Sequence, residues 1–404
     1  MSEDVLRAVT PELRALRDRY AAFMDEHVYP NEPAFAADDE AAEALIAELR
    51  ARARGAGLWA PHIGPEAGGT GRGFLAYAYL NEQIGRSYWG QLVFGCQAPD
   101  AGNGEILALF GTAAQRRRWL EPLVAGEVRS YFGMTEPDVS GADPTTLESR
   151  ARSDGDAWVI DGHKWFSTGA DGAAFGIVMA VTDPEAAPHR RASLFIVPAE
   201  ADGVEVVRRI PVFGHEGRGW NTHCEVRFTG VRVPAANLLG ERGDGFVIAQ
   251  KRLTPGRIHH AMRWLGQMQR AFDLMCSYSL ARTAFGEPLA EKQTVQTWIA
   301  DSAAEISACR LMTLAAAGKV DRGEPARVEV SALKVFAARV LHDVIDRAVQ
   351  THGALGVSGD SPLAAMYLGA RYARIYDGPD EVHRMVVARR ILERYRAGDA
   401  WSFE

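Results

Sequence analysis

The sequence predicts an α+β multi-domain protein in which helical segments flank a block of short strands. Three observations predict it. Apolar residues recur at three- and four-residue spacing up to about residue 128. Runs rich in Val, Ile and Phe, bounded by Gly, Pro and Asp, fill 129–245. Longer helical stretches with short connections return from 246 to 396, as in a bundle of antiparallel neighbours. The expected domains are therefore 1–128 (helical), 129–245 (a small β sandwich or barrel) and 246–404 (a helical bundle).

Composition sets the outer limits. The 404 residues are 47% apolar and 24% charged, a globular profile with room for two or three packed units. A balance of 45 basic against 52 acidic residues leaves no strongly basic face for nucleic acid. Cys96, Cys224, Cys276 and Cys309 are far apart with no CxxC pair, which fits a reduced chain rather than a disulfide framework or a zinc site. The first twenty residues are amphipathic with no apolar signal core, and no stretch approaches the roughly 18 apolar residues of a membrane span, so a cytoplasmic protein is expected.

The elements follow in order. Leu6, Val9, Leu13, Leu16, Tyr20 and Phe23 mark one buried helical stripe, and 40–54, 73–84 and 112–123 read as further helices. AWVIDGHKWFSTG reads as a hairpin turning at Asp161-Gly162. FGIVMAVTD, SLFIVPA, VEVVRRIPVFG and HCEVRFTGVRVP read as strands, with no helix between them long enough for a parallel crossover. A helix from 245 towards 283 should kink or break at Pro255. Helices over 295–322, 325–352 and 382–397 follow.

Several tempting motifs have plainer readings. GGTGRG at 68–73 lacks the preceding strand and the GxGxxG spacing of a phosphate loop, so it reads as a surface loop. On a helix, His259 and His260 point about 100° apart, which disfavours a shared metal and leaves substrate contact or surface. Arg116-Arg117-Arg118 reads as a solvated helix face, and Ser140 has no GxSxG context. Three stretches are harder to set aside. Residues 131–143 combine hydroxyls, Gly and Pro in a loop that can present N–H groups to a polar ligand. Trp165, Phe166 and Ser167 offer a stacking surface beside a hydroxyl. In 375–384, Asp380 and Glu381 suit a helix cap, whereas Asp377 lies too early for capping and is free to enter a pocket.

Together and in this order these stretches resemble the acyl-CoA dehydrogenase family. The likeness rests on Met134-Thr135-Glu136-Pro137, Trp165-Phe166-Ser167, Val231-Arg232-Val233-Pro234 with Leu239-Gly240, Gly243-Asp244-Gly245-Phe246, Arg282-Thr283-Ala284-Phe285-Gly286 with Gln293, and Gln350-Thr351-His352-Gly353 with Gly356. Three further pieces resemble the subgroup of family members ten and eleven. They are Cys96-Gln97-Ala98-Pro99-Asp100, Gly256-Arg257-Ile258-His259-His260 and Asp377-Gly378-Pro379-Asp380-Glu381-Val382-His383. The animal members carry an additional kinase-like domain.

The resemblance implies a helical domain, a β-barrel-like domain and a four-helix bundle. It implies FAD, with its tail reaching a neighbouring subunit of a homodimer or homotetramer, and electron-transfer flavoprotein or a similar acceptor as partner. Carried over by position, Phe132, Met134, Thr135, Ser140, Trp165, Phe166, Ser167 and Glu381 belong to the flavin surround. Arg282, Phe285, Gln293, Gln350 and Gly353 match positions on the adenosine diphosphate part, and Arg257, Tyr376 and Gly378 lie on the substrate side. No metal is implied.

The implied reaction is α,β-dehydrogenation of an acyl-CoA thioester to the trans-2-enoyl-CoA. Asp377 takes the α-proton, and hydride passes from the β-carbon to flavin N5. The family usually carries Glu at that position, and the subgroup carries Asp. A carboxylate in an apolar pocket is desolvated and becomes a stronger base. The flavin ribityl 2′-hydroxyl and the Asp377 backbone N–H are the implied donors to the enolate oxygen. Some branches put the base one residue before Arg257, where this chain has Gly256. Ala142 and Pro379 depart from the family's Ser and Thr, and Ser140 stands in for the former. Two alternatives stay open: an oxidase of the same fold acting on acyl-CoA or a nitroalkane, and a non-catalytic flavin- or CoA-binding protein.

Overall fold

The computed structural model describes residues 9–402. In chain order its main elements are α1 (Pro11–Phe23), α2 (Glu40–Gly55), α3 (Phe74–Ile84), α4 (Asp100–Phe110), β1 (Ser130–Gly133), β2 (Arg150–Asp154), β3 (Ala157–Thr168), β4 (Phe175–Val181), β5 (Ala192–Pro198), β6 (Val204–Arg209), β7 (His223–Pro234), β8 (Leu238–Leu239), α5 (Gly245–Ala281), β9 (Thr283–Ala284), β10 (Glu287–Pro288), α6 (Gln293–Asp321), α7 (Arg327–His352), α8 (Leu363–Tyr372) and α9 (Asp380–Arg396). They form two compact units. One gathers the described residues of 1–31, 72–91 and 254–404; the other gathers 32–71 and 92–253.

In the first unit α1 starts where Thr10 Oγ1 accepts the Leu13 N–H at 3.2 Å, with Pro11 in the first turn. Leu13, Leu16, Tyr20 and Phe23 are its buried face, as the spacing predicts. Leu6 lies outside the described residues, and Val9 precedes the helix. Buried Glu82 of α3 accepts from Arg310 of α6 at 2.9 and 2.8 Å and from Arg17 of α1 at 3.3 Å. One carboxylate thus ties three helices together.

The second unit is built on one eight-stranded sheet in the order β6-β7-β3-β2-β4-β5-β8, with β1 pairing β4. Among the described residues, only the β1–β4 and β2–β4 pairings are parallel. Strand β4 shows why its text is apolar throughout. Phe175, Ile177 and Met179 face a core with Ile106, Leu107, Trp119 and Leu120, while Val178 and Ala180 face another with Phe195, Val226 and Phe228. Both sides of the strand are covered, so the polar alternation disappears.

Three expectations are corrected, and one helix is added. Asp161-Gly162 is not a hairpin turn: β3 runs through it with a bulge, and β2 turns into β3 at Gly155-Asp156. Gly162 is there because a Cβ would lie 2.2 Å from Ser149 Oγ. Pro255 does not break α5, which is continuous over 37 residues. Ile248, Ala249, Ile258, Ala261, Met262, Leu265 and Met268 are all buried along it. Each such large apolar side chain contributes about 1.5–3 kcal/mol, which outweighs the ~3 kcal/mol an internal proline costs. Asp380 does not cap α9; Pro379 holds the cap position without a side-chain bond, and Asp380 is buried against Arg374 at 2.7 Å. Helix α8 has no counterpart in the sequence reading.

The 68–73 loop is a loop, as expected. Its Thr70 and Gly71 amides are spent on the Ala60 and Ile63 carbonyls. All four cysteines are free thiols. Among the described residues no helix is long and apolar enough to cross a membrane, and no His, Cys, Asp or Glu cluster could hold a metal.

Candidate active site

The sheet unit carries the positions expected around the flavin, Glu381 excepted. Phe132 is half-buried on β1, with the Arg252 guanidinium 4.2 Å above its ring. The chain then leaves the sheet as Met134, Thr135 and Glu136. Buried Lys164 donates to the Met134 carbonyl at 3.1 Å and to Glu136 Oε1 at 2.6 Å, and the Trp165 N–H donates to the Thr135 carbonyl at 2.8 Å. Glu136 also accepts from the Glu148 and Ser149 amides at 2.7 and 3.0 Å. Burial works against its charge, but Lys164 and the amides outweigh that, so its carboxyl stays below the ordinary value. Burial brings the Lys164 ammonium down to about 8. The Met134–Glu136 loop is therefore held by a buried ion pair.

A second irregularity of β3 falls between Lys164 and Ser167. Phe166 takes a left-handed φ of +52° and is turned out, 41% exposed, while Ser167 is fully buried. A bulge re-aims side chains in this way. Ser167 Oγ has no hydrogen-bond partner among the described residues. A buried hydroxyl left without a partner is costly, and a flavin's polar edge is a group that would satisfy it. Trp165 is half-buried, edge-on to Phe166 at 4.7 Å. Ser140 is exposed, and its carbonyl accepts the Asp143 amide at 3.0 Å.

The helical unit carries the rest. Arg282, Phe285, Gln293, Gln350, Gly353 and Glu381 are all exposed, and Phe285 is 99% exposed on the β9–β10 hairpin with φ +53°.

Asp377 stands in the turn between α8 and α9 at φ +53°, a left-handed conformation that costs a non-glycine residue about 1–3 kcal/mol. The surrounding groups hold it there. Its carbonyl accepts from Arg257 Nε at 3.0 Å and contacts His383 Nε2 at 3.1 Å, and the Gly378 carbonyl accepts from Lys334 Nζ at 2.7 Å. Its carboxylate Oδ2 lies 2.9 Å from His260 Nε2. Gly256 sits beside that oxygen, its absent Cβ 3.6 Å away. Tyr376 packs on His260 at 4.4 Å, and its hydroxyl accepts from Trp264 Nε1 at 3.0 Å.

The structure brings Arg257, Tyr376 and Gly378 to Asp377, but the surround is not an apolar pocket. The carboxylate side chain is 25% exposed and ringed by cations and imidazoles. Burial takes Lys334 down to about 8 and His260 and His383 to about 4. It also pushes the Tyr376 hydroxyl well above its ordinary value. His260, Arg263, Trp264, Lys334 and His383 were not among the expected site residues. The one available signal was the adjacent His259-His260 pair. The helix separates the two as 100° spacing requires: His259 stacks on Phe74 at 5.3 Å and meets Tyr77 edge-on, while His260 reaches Asp377.

Comparison with known proteins agrees with this fold. The N-terminal, middle and C-terminal domains of acyl-CoA dehydrogenases match residues 10–127, 131–231 and 243–392. The chain belongs to the acyl-CoA dehydrogenase family, a family of FAD-dependent oxidoreductases. FadE2 of Mycobacterium tuberculosis, named as an acyl-CoA dehydrogenase, is 46% identical over 396 residues, covering 94% of this chain and 95% of that one. Human acyl-CoA dehydrogenase family member 11 is 39% identical over 91% of this chain, which spans 48% of that protein's length. Among solved structures, butyryl-CoA dehydrogenase from Megasphaera elsdenii superposes with a TM-score of 0.84 at 29% identity, covering 95% of this chain and 98% of that one.

Proposed function

We propose that this chain oxidises an acyl-CoA thioester to its trans-2-enoyl-CoA, with Asp377 taking the α-proton. The observation that carries the reading is the Asp377 carboxylate itself, held on a strained, pinned turn beside Gly256. Gly256 leaves Asp377 as the carboxylate at the family's two base positions. Bound FAD supplies the hydride acceptor. Arg257, through the Asp377 carbonyl, and Lys334, through the Gly378 carbonyl, pin the two peptides that follow Asp377, whose own N–H is the proposed donor to the enolate oxygen.

Phe132, Met134, Thr135, Ser140, Trp165, Phe166, Ser167 and Glu381 are the proposed flavin contacts, with the unpartnered Ser167 hydroxyl the best supported. The exposure of Arg282, Phe285, Gln293, Gln350 and Gly353 supports contacts to a cofactor held by a second subunit, in a homodimer or homotetramer. Electron-transfer flavoprotein is the proposed acceptor, the cytoplasm the proposed location, and 1–128, 129–245 and 246–404 the proposed domains.

The test is turnover by the purified yellow protein of a panel of acyl-CoAs with an artificial electron acceptor, with mass spectrometry of the product. Loss of two hydrogens from one or more thioesters is expected. Flavin-loaded protein that leaves every thioester intact contradicts the reading.

A further inference from the structure

We propose that His260, locked in one tautomer by Arg263, is a positioning residue that donates a hydrogen bond to the Asp377 carboxylate. This inference rests on Asp377 being the base.

Both residues lie on α5, three apart and therefore on one face. Arg263 Nη2 is 2.6 Å from His260 Nδ1. A guanidinium only donates, so Nδ1 must present its lone pair and the proton of the neutral ring sits on Nε2. That N–H points at Asp377 Oδ2, 2.9 Å away. The ring also packs beside Trp264, at 5.7 Å and 19°, and against Tyr376 at 4.4 Å, two side chains that touch each other. Both ring nitrogens of the imidazole are thereby committed.

Two consequences follow. A second proton on His260 would have to enter at Nδ1, where Arg263 stands, so His260 does not compete with Asp377 for the substrate proton. The ring instead aims one carboxylate oxygen and favours its ionised form. The other charged or titratable groups around the pair act in the same field. Arg257 and Arg263 come from α5, Lys334 from α7 and His383 from α9, while Tyr372 and Tyr376 close the side towards α8. Asp380, the other nearby carboxylate, is engaged by Arg374.

The test uses the FAD-loaded enzyme and three variants. His260→Phe removes the donor and keeps the ring. His260→Gln restores an N–H at similar reach. Arg263→Met frees Nδ1. In anaerobic flavin reduction by an accepted acyl-CoA, His260→Phe should move the acid limb of the pH profile up by about one to two units, as loss of a hydrogen bond to a charged group implies. His260→Gln should recover most of that shift.

Independently of turnover, nitrogen-15 NMR of histidine-labelled enzyme should show His260 as the neutral Nε2–H tautomer between pH 6 and 8. Arg263→Met should give mixed tautomers or titration in that range. An unmoved acid limb in His260→Phe, or an Nδ1–H or doubly protonated His260 in the native enzyme, overturns the proposal. If the native enzyme reduces no flavin with any thioester, the base assignment fails and the NMR result still decides the tautomer.

Discussion

Replacing Lys164 with Met tests how the Met134–Glu136 loop is held. Lys164 is fully buried and Glu136 is 4% exposed, so the substitution leaves a buried carboxylate without its cation. Breaking such a pair from one side costs about 3–5 kcal/mol. The lower end applies here, because the Glu148 and Ser149 amides still donate to Glu136. Glu136→Gln removes the charge from the other side. Its single carbonyl can keep the Lys164 and Ser149 bonds that Oε1 now accepts, but its NH2 then faces the Glu148 N–H that Oε2 accepts at 2.7 Å. Two opposed donors at that distance cost about 1–3 kcal/mol. The double variant removes both charges together and should be more stable than the sum of the two losses by about 2 kcal/mol. Urea unfolding followed by fluorescence measures all three, and flavin content should fall in each single variant. Additive losses, or a Lys164→Met cost below about 1 kcal/mol, would refute the claim that the pair holds this loop.

Other predictions concern the helical unit and acid stability. His62, His260 and His383 have protonation points depressed from 6.5 to about 3, 4 and 4, with burial the largest cause in each. The unfolded chain therefore binds these protons first as pH falls. Stability should be full above about pH 6.5 and decline towards pH 4, each histidine adding a slope of about 1.4 kcal/mol per pH unit within its own window. A melting temperature that is flat from pH 6.5 to 4.5 contradicts this. Gly378→Ala places a Cβ 2.8 Å from His383 Nε2 at φ +99°. It should destabilise by about 1–3 kcal/mol and lower kcat more than it raises KM, measurable by calorimetry and steady-state kinetics.

Much of the fold was legible because it is written in local periodicity. The α1 stripe, the four apolar strand runs and the breaks between the last helices each depend on neighbours within a few residues. The misreadings came where a distant contact decided. Ser149 makes Gly162 a bulge rather than a turn, and packing along α5 overrides Pro255.

The site divides in the same way. Asp377 could be singled out because it stands too early to cap α9 and lies in a recognisable motif. Its partner His260 is 117 residues away and Lys334 sits on another helix, so no spacing in the sequence announces either contact. Even so, the adjacent histidine pair contained half the answer, since a helix must send the two rings in different directions.

The most direct test of the account is anaerobic bleaching of the flavin by an acyl-CoA in the native enzyme and in Asp377→Asn. Asparagine keeps an oxygen for the His260 N–H and removes the base, so fold and flavin binding should survive. The native flavin should bleach, and the variant should do so about 10²–10⁴-fold more slowly. Equal bleaching rates in the two proteins would contradict the assignment of Asp377 as the base.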